Sequence, residues 1–420
     1  MEKFIINQKL PKISFYFDTN HNKKLFSAIS EKINHSELIS KFSLKKVKET
    51  PLKCDEIINK VENAYTKYIR YKYEDHCLSF KNSIKKWQRL GFSRSSLQRK
   101  YRKYKFRKEF EKWVTFFTHS DTEVIAAWCP IKPKRRIIFE AALFCNKSLL
   151  YFEDSPIPGF IICDYKGVNA GLSLKKDINF YRNLADDNSG EDNPDLNCIF
   201  NNITQRNPIF KKIKQPGIGF PQSKKHTIYC PLQVQDDTQI VQYGSWIKSI
   251  GEFIDIVYAA SRFLPDNWQL LIREHPSCSI SFSKKLVGLS DDKFVIDNIS
   301  DSTDIIKNSS AVVTINSSVG FHALLKYKPV IVCGEAFWGF NPLTHTASNQ
   351  NDLIEKFSNI SHLKTDTLAI QQYMKFLLND IFIPITYDGD SLNINKEHLE
   401  IIYRNSLISL SHYSEIKNVI

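Results

Sequence analysis

Glycine is scarce, with 14 among 420 residues, about half the usual share. No Gly-x-Gly-x-x-Gly and no Gly-x4-Gly-Lys-Ser/Thr occurs, so the common dinucleotide fingerprint and the P-loop are excluded. His-Glu-x-x-His is absent, which removes the usual zinc protease signature. No run approaches the roughly 18 apolar residues of a membrane span. The opening Met1-Glu-Lys-Phe-Ile-Ile-Asn lacks the long apolar stretch and small-residue cleavage site of a secretory signal. Nine cysteines are scattered with no Cys-x-x-Cys. They read as free thiols of a reducing cytoplasm rather than a disulfide or zinc framework. Low-complexity tracts and internal repeats are also missing.

What is present is an apolar, aromatic-rich chain, 42% hydrophobic and 13% aromatic, which excludes wholesale disorder. Its length predicts two or three domains. The net charge of +13 is unevenly placed. Lys81–Lys112 holds 13 Lys or Arg against Glu109 and Glu111. Within it, Phe106, Phe110, Trp113 and Phe117 recur at helical spacing, with Ser95 or Ser96 as a candidate cap. Three roles fit such a segment. It can be a solvated helix packing its aromatic stripe on the core. It can be an arm on an anionic lipid surface. It can also be a nucleic-acid arm. Arg99, Lys100, Arg102, Lys103, Lys105 and Arg107 are the candidate membrane or acceptor contacts.

Strand and helix patterns alternate along most of the remainder. Lys12–Phe17, Val124–Trp128, Ser148–Glu153 and Phe160–Asp164 read as strands, and residues 22–33 and 135–144 as helices. Residues 183–197 read as a polar loop. Beyond Pro216–Lys225 the alternation is more regular: strands near 227–234, 268–273, 293–296, 311–315 and 329–333, helices near 246–263, 303–308 and 317–326. This predicts parallel βαβ units in an α/β fold with two doubly wound, Rossmann-like domains. The expected division is 1–220, carrying a helical basic insertion at 52–115, then 221–385, then a tail at 386–420 packing back on the first domain. Ligands of such sheets sit beyond the carboxyl ends of the strands.

Four stretches fall at expected strand ends. Asn316-Ser317-Ser318-Val319-Gly320 opens a helix, either as an anion site or as a plain N-cap. Arg273-Glu274-His275-Pro276 offers a cation and an imidazole suited to phosphate or carboxylate. Pro231-Leu-Gln-Val-Gln-Asp-Asp-Thr-Gln239 puts Gln233, Asp236 and Asp237 after a strand. A capped turn explains one aspartate there but not the glutamines. Glu153 and Asp154 end another strand, with Asp164-Tyr-Lys-Gly-Val-Asn169 beyond, and are candidates for acid/base work. Asp388-Gly-Asp390 could hold a metal but reads better as a turn, so no metal or cofactor is expected.

WCPIKPKRR, FCNKSLLYFEDSP, PLQVQDDTQ, REHP and TINSSVGFHALLKYKPVIVCGEAFWG resemble, in this order, the capsule polysaccharide synthesis family, across roughly residues 124–340. That family includes retaining β-Kdo glycosyltransferases that use CMP-Kdo. The resemblance implies a GT-B-like fold, no metal, and double displacement with retention at the anomeric carbon. It implies Asp237 as nucleophile with Asp236 as rival, and Glu153 as acid/base with Asp154 beside it. It implies a donor shelf of His275, Arg273, Asn316, Ser317, Ser318, Gly320 and Gln233. Arg273 stands where lysine is common, and Ser155 where the family has glycine. The implied partners are CMP-Kdo, a lipid-linked or polysaccharide acceptor and the anionic inner-membrane surface. The implied location is cytoplasmic and peripheral at that membrane, with no nucleic acid. Two alternatives remain: a CDP-glycerol or CDP-ribitol phosphotransferase, usually marked by Thr-Asp-Tyr-Ser-Ser where this chain has Thr314-Ile-Asn-Ser-Ser318, and a non-catalytic nucleic-acid-binding protein.

Overall fold

A computed structural model describes residues 10–45, 47–66, 96–129, 133–187, 193–203, 225–235, 237–278, 281–388, 391–395 and 398–419. Two six-stranded sheets carry the fold. The first contains β1 (Ile13–Tyr16), β2 (Ser36–Ile39), β3 (Val124–Trp128), β4 (Ser148–Asp154), β5 (Phe160–Asp164) and β12 (Phe382–Pro384), in the order β12-β5-β4-β3-β1-β2. The second contains β6 (His226–Pro231), β7 (Trp268–Arg273), β8 (Phe294–Ile296), β9 (Ala311–Thr314), β10 (Val330–Val332) and β11 (His345–Thr346), in the order β11-β10-β9-β6-β7-β8. Each sheet is covered by helices, which gives the GT-B-like, two-Rossmann arrangement.

The central strands are uninterrupted apolar runs because both their faces are covered. Every residue of β1 and β3 is buried. On one face of the first sheet, Leu25, Phe26 and Ile29 of the Asn20–Ser30 helix meet Phe15 and Phe152. On the other, Phe110, Trp113 and Phe117 of the Ser96–Thr118 helix meet Ile125, Ile137 and Ile138. All pairings in the second sheet are parallel.

The first sheet is mixed rather than wholly parallel. Strand β5 runs antiparallel to β4, and β12 antiparallel to β5. The connection between β4 and β5, residues 155–159, is too short for a crossover helix, so only a hairpin is available. Sequence alternation missed this because both strands look alike whichever way they run. Residues 183–187, read above as loop, complete the Ile178–Asp187 helix. That helix packs Tyr181 on Tyr373 of the Thr367–Phe376 helix, in a core that also holds Tyr229 and Phe321 of the second sheet's layer. The two halves of the chain therefore share one apolar cluster. The chain has returned to the first sheet by β12, ahead of residue 385. The Leu399–Val419 helix lies on the same sheet: Ser409 Oγ donates to the Leu149 carbonyl at 2.8 Å, and Asn405 Nδ2 to that of Cys163 at 3.1 Å.

The aromatic stripe of the basic segment packs on the core. Residues 81–95 lie outside the described set. From Ser96 onward, Phe110, Trp113 and Phe117 are fully buried, so they cannot face lipid or stack on bases. Many of the cations are paired, mostly with the helical segment 55–66. Arg102 reaches Glu62 at 2.8 Å and Arg99 reaches it at 4.0 Å. Lys103 donates to Asn59 at 2.5 Å, and Arg107 binds Asp55. Tyr101 and Tyr104 remain exposed, with Lys105 over the Tyr101 ring at 4.7 Å. Among the described residues no helix is long and apolar enough to cross a membrane.

Candidate active site

Each sheet has a point where chain order reverses. In the first, β1 leads to β2 on one side while β3 and β4 lie on the other. In the second, β6 leads to β7 and β8 on one side while β9 to β11 lie on the other. Ligands settle at the carboxyl ends of strands flanking such points. The residues there are Asp18 and Cys129 in the first sheet, and 232–237 and 315–318 in the second.

At the first switch point Arg135 is nearly buried. It donates to Asp18 from Nε at 2.9 Å and Nη2 at 2.8 Å, and to the Trp128 carbonyl at 2.7 Å. Cys129 has φ of 34°, a left-handed conformation that non-glycine residues seldom adopt. Its N–H donates to the Phe152 carbonyl at 2.8 Å, and its thiol bonds to Glu153. Glu153 is half-buried. Burial is the main cause that pushes its carboxyl up to about 7, and the charge of Asp154 adds to it. The Cys129 thiol, the Asp154 N–H at 3.2 Å and Arg135 pull the other way. Strand alternation turns Asp154 to the opposite face. Of this adjacent pair, Glu153 is thus the one joined to Cys129 and Arg135. Asp164, by contrast, is structural. Its buried carboxylate accepts from the N–H groups of Lys166, Gly167 and Ser173 and from Ser173 Oγ, stapling the 164–173 loop.

At the second switch point Asp237 caps the Thr238–Tyr243 helix. Its Oδ1 accepts from the Gln239 N–H at 2.9 Å, and its Oδ2 from Gln233 Nε2 at 3.3 Å. Gln233 Nε2 also donates to Asn316 Oδ1 at 3.1 Å, and Gln233 Oε1 accepts the Asn316 N–H at 3.3 Å. Asn316 Nδ2 lies 3.1 Å from the carbonyls of Gln239, Tyr243 and Glu335. Both amides are buried and engaged within the protein. They bridge β6 to β9 and hold Asp237. Asp236 lies outside the described residues.

Gly320 sits tightly against its neighbours. A Cβ there would meet Trp338 at 2.5 Å and Thr314 Cγ2 at 3.0 Å, so its smallness serves packing. Ser317 is the N-cap of the Ser318–Leu324 helix, its Oγ accepting from the Val319 N–H at 3.3 Å. This is the plain-cap alternative raised above, and Ser318 follows as the first helical residue.

Beyond the end of β7, His275 Nδ1 accepts the Ser277 N–H at 3.0 Å, which leaves the proton on Nε2. Burial, with the Arg273 charge second, holds this imidazole down to about 4, so it is neutral at pH 7. Glu274 between them is buried and faces inward, accepting from the Phe282 N–H and from Ser283 Oγ at 3.0 Å.

The two switch points meet through Tyr243. This residue ends the helix that Asp237 begins, and it lies beside Cys129. Its hydroxyl occupies the space that a Cβ on Gly171 of the stapled loop would take, 2.5 Å away. Cys129, Arg135 and Tyr243 were not singled out from sequence. Arg135 and Cys129 lie inside the WCPIKPKRR stretch, but nothing in their spacing marks the pairing with Asp18 or Glu153.

The sequence profile of the capsule polysaccharide biosynthesis proteins matches residues 205–384. Over that segment, less than half of the chain, the sequence is similar to this family. Protein FixF of Sinorhizobium fredii is 28% identical across 55% of this chain, and the chain spans about half, 53%, of FixF's length. The capsule polysaccharide export protein KpsS of Escherichia coli is 24% identical, covering 58% of this chain and 75% of KpsS. Among solved structures, the β-Kdo 2,7 transferase of KpsC from Thermosulfurimonas dismutans superposes with a TM-score of 0.49 at 15% identity, covering 94% of this chain and 99% of that one. The β-Kdo 2,4 transferase of the same protein gives 0.42 at 16% identity, covering 67% and 88%.

Proposed function

We propose that this protein is a retaining β-Kdo glycosyltransferase that moves Kdo from CMP-Kdo to a lipid-linked or polysaccharide acceptor. One observation carries the mechanism. Glu153, with a carboxyl near 7, contacts Cys129, and Cys129 lies beside Tyr243 of the helix that Asp237 heads. On this reading the two carboxylates, one from each sheet, face one cleft. Donor identity rests on the motif resemblance together with the family match.

In the first step an Asp237 carboxylate oxygen bonds to the anomeric carbon. The carbon–oxygen bond to phosphate breaks, and CMP departs with that electron pair. In the second step the acceptor oxygen attacks the same carbon, Glu153 takes the hydroxyl proton, and the ester to Asp237 breaks to restore its carboxylate. Two inversions give retention. The hydrogen bonds from Gln239 and Gln233 align the carboxylate as a nucleophile requires. A carboxyl near 7 suits a base at neutral pH. Ser318, His275 and Arg273 would hold the nucleotide phosphate. Lys100 and Lys105, with exposed Tyr101 and Tyr104, would supply a patch for anionic lipid at the inner membrane face.

The test is transfer from CMP-Kdo by Asp237→Asn. Turnover should vanish while CMP binding persists, and mass spectrometry of wild type should trap a Kdo adduct on Asp237. Normal turnover by the variant removes Asp237 from the reaction. Wild type that binds neither CMP nor CMP-Kdo sinks the transferase assignment. For the lipid patch, loss of vesicle binding in Lys100→Glu/Lys105→Glu is expected, and unchanged binding removes it.

A further inference from the structure

At the first switch point one backbone position holds a residue that the turn itself does not favour. Cys129 has φ of 34°, a conformation that glycine adopts freely and that a residue with a side chain resists. Backbone strain of this kind gathers at functional sites. The strand register shows what lies beside it. Strands β3 and β4 run parallel with Trp128 opposite Phe152, and the Cys129 N–H donates to the Phe152 carbonyl at 2.8 Å. The next residue of β4 is Glu153, and the Cys129 thiol donates to its carboxylate. Cys129 is buried, so water has little access to replace this donor.

The carboxylate has few other partners among the described residues. Its Oε1 accepts from the Asp154 N–H at 3.2 Å. The charged groups acting on it are Asp154, on its own strand, and Arg135 of the Pro133–Phe144 helix. Arg135 spends its Nε and Nη2 on Asp18. Strand β5 opposes Glu153 with apolar Ile162, and Tyr243 lies beside Cys129. Among these side chains, Cys129 is the one that hydrogen-bonds the carboxylate directly.

We propose that Cys129 is a positioning residue for Glu153: its thiol, turned by the left-handed backbone, hydrogen-bonds the carboxylate and holds it ready to take a proton. The inference rests on the base role proposed above for Glu153 and adds the residue that sets it. The thiol donates to the ionised carboxylate, so its removal pushes the Glu153 carboxyl further up. A base raised in this way needs higher pH to act.

The experiment follows the pH profile of transfer from CMP-Kdo by the full chain, for wild type, Cys129→Ala, Cys129→Gly and Cys129→Ser. In each background, denaturant midpoints with and without Glu153→Gln are compared from pH 4.5 to 8.5, which reads the titration of Glu153 without turnover. In the alanine and glycine variants that titration should move up by about half a pH unit or more. Their kcat at pH 7 should fall while KM for the donor is kept. Alanine retains the strained turn and glycine relieves it, so a change shared by both does not come from the backbone. Serine keeps a donor and should return both readouts toward wild type. A titration that moves as expected in a wild type and variants that all lack transfer would support the Cys129 hydrogen bond while ending the Kdo function. The inference is overturned if wild type shows no Glu153 titration, if alanine and glycine leave it in place, if an active enzyme keeps its kcat at pH 7 in both, or if serine behaves as alanine does.

Discussion

Glu153→Gln should make the protein more stable at pH 8 and leave it unchanged at pH 4.5. The carboxyl titrates near 4.5 in the unfolded chain and is pushed up to about 7 in the fold, chiefly by burial. Between those values the folded state holds the extra proton. Wild-type stability therefore falls as pH rises through about 7, and the contribution is fully present only below about 4.5. At about 1.4 kcal/mol per pH unit, the loss is at most about 3 kcal/mol. The glutamine variant keeps the shape and carries no charge, so it escapes that loss. The assay is chemical denaturation of wild type and variant from pH 4.5 to 8.5, reported as the difference between them. Taking the difference removes His275, whose contribution has the opposite sign. An excess of midpoint growing toward alkaline pH is expected, together with loss of transfer. A difference that is flat with pH, or a variant weaker at pH 8, would show that Glu153 is not a desolvated carboxyl.

His275→Gln should flatten the acid limb: its imidazole titrates near 6.5 unfolded and about 4 folded, so wild-type stability is full above 6.5 and falls as pH drops, whereas the variant's does not. Denaturation at pH 4.5 and 7 checks this, and equal pH dependence would refute it. Gly320→Ala should cost about 1–3 kcal/mol through the Trp338 clash, with CMP affinity retained, and an affinity loss without destabilisation would return Gly320 to the donor site. Asn316→Leu should cost at least about 2 kcal/mol by stranding Gln233 and three carbonyls, measured by thermal melt. A silent substitution there would show that the amide bridge does not hold the 233–243 segment.

Much of the fold was legible because its strands are continuous apolar runs. Ala311–Thr314 and Val330–Val332 admit no other assignment once helices are seen between them. The hairpin of β4 and β5 was not legible, since direction leaves no mark on side-chain pattern. The basic helix shows a different failure. Periodicity located its aromatic stripe, but charge density drew attention to lipid and nucleic acid. The acids that answer those cations, Asp55 and Glu62, lie over 30 residues earlier and become visible only when two helices pack.

In the site, residue type was legible and residue role was not. The PLQVQDDTQ stretch stood out for glutamines that no surface turn requires. The structure divides them: Gln233 bonds both Asp237 and Asn316, the latter 83 residues away, while Gln235 Nε2 meets no acceptor among the described residues. Sequence spacing cannot separate the two, because both are polar and both follow a strand. The same holds for serine: Ser317 spends its hydroxyl on its own helix. Acids separate by how many donors answer them. Asp164 gathers four donors around a buried carboxylate and loses its freedom to react, whereas Glu153, eleven residues earlier on the paired strand, is left with a raised carboxyl and a thiol. An acid satisfied by several backbone N–H groups organises a loop. An acid desolvated with few donors is available for proton transfer at neutral pH.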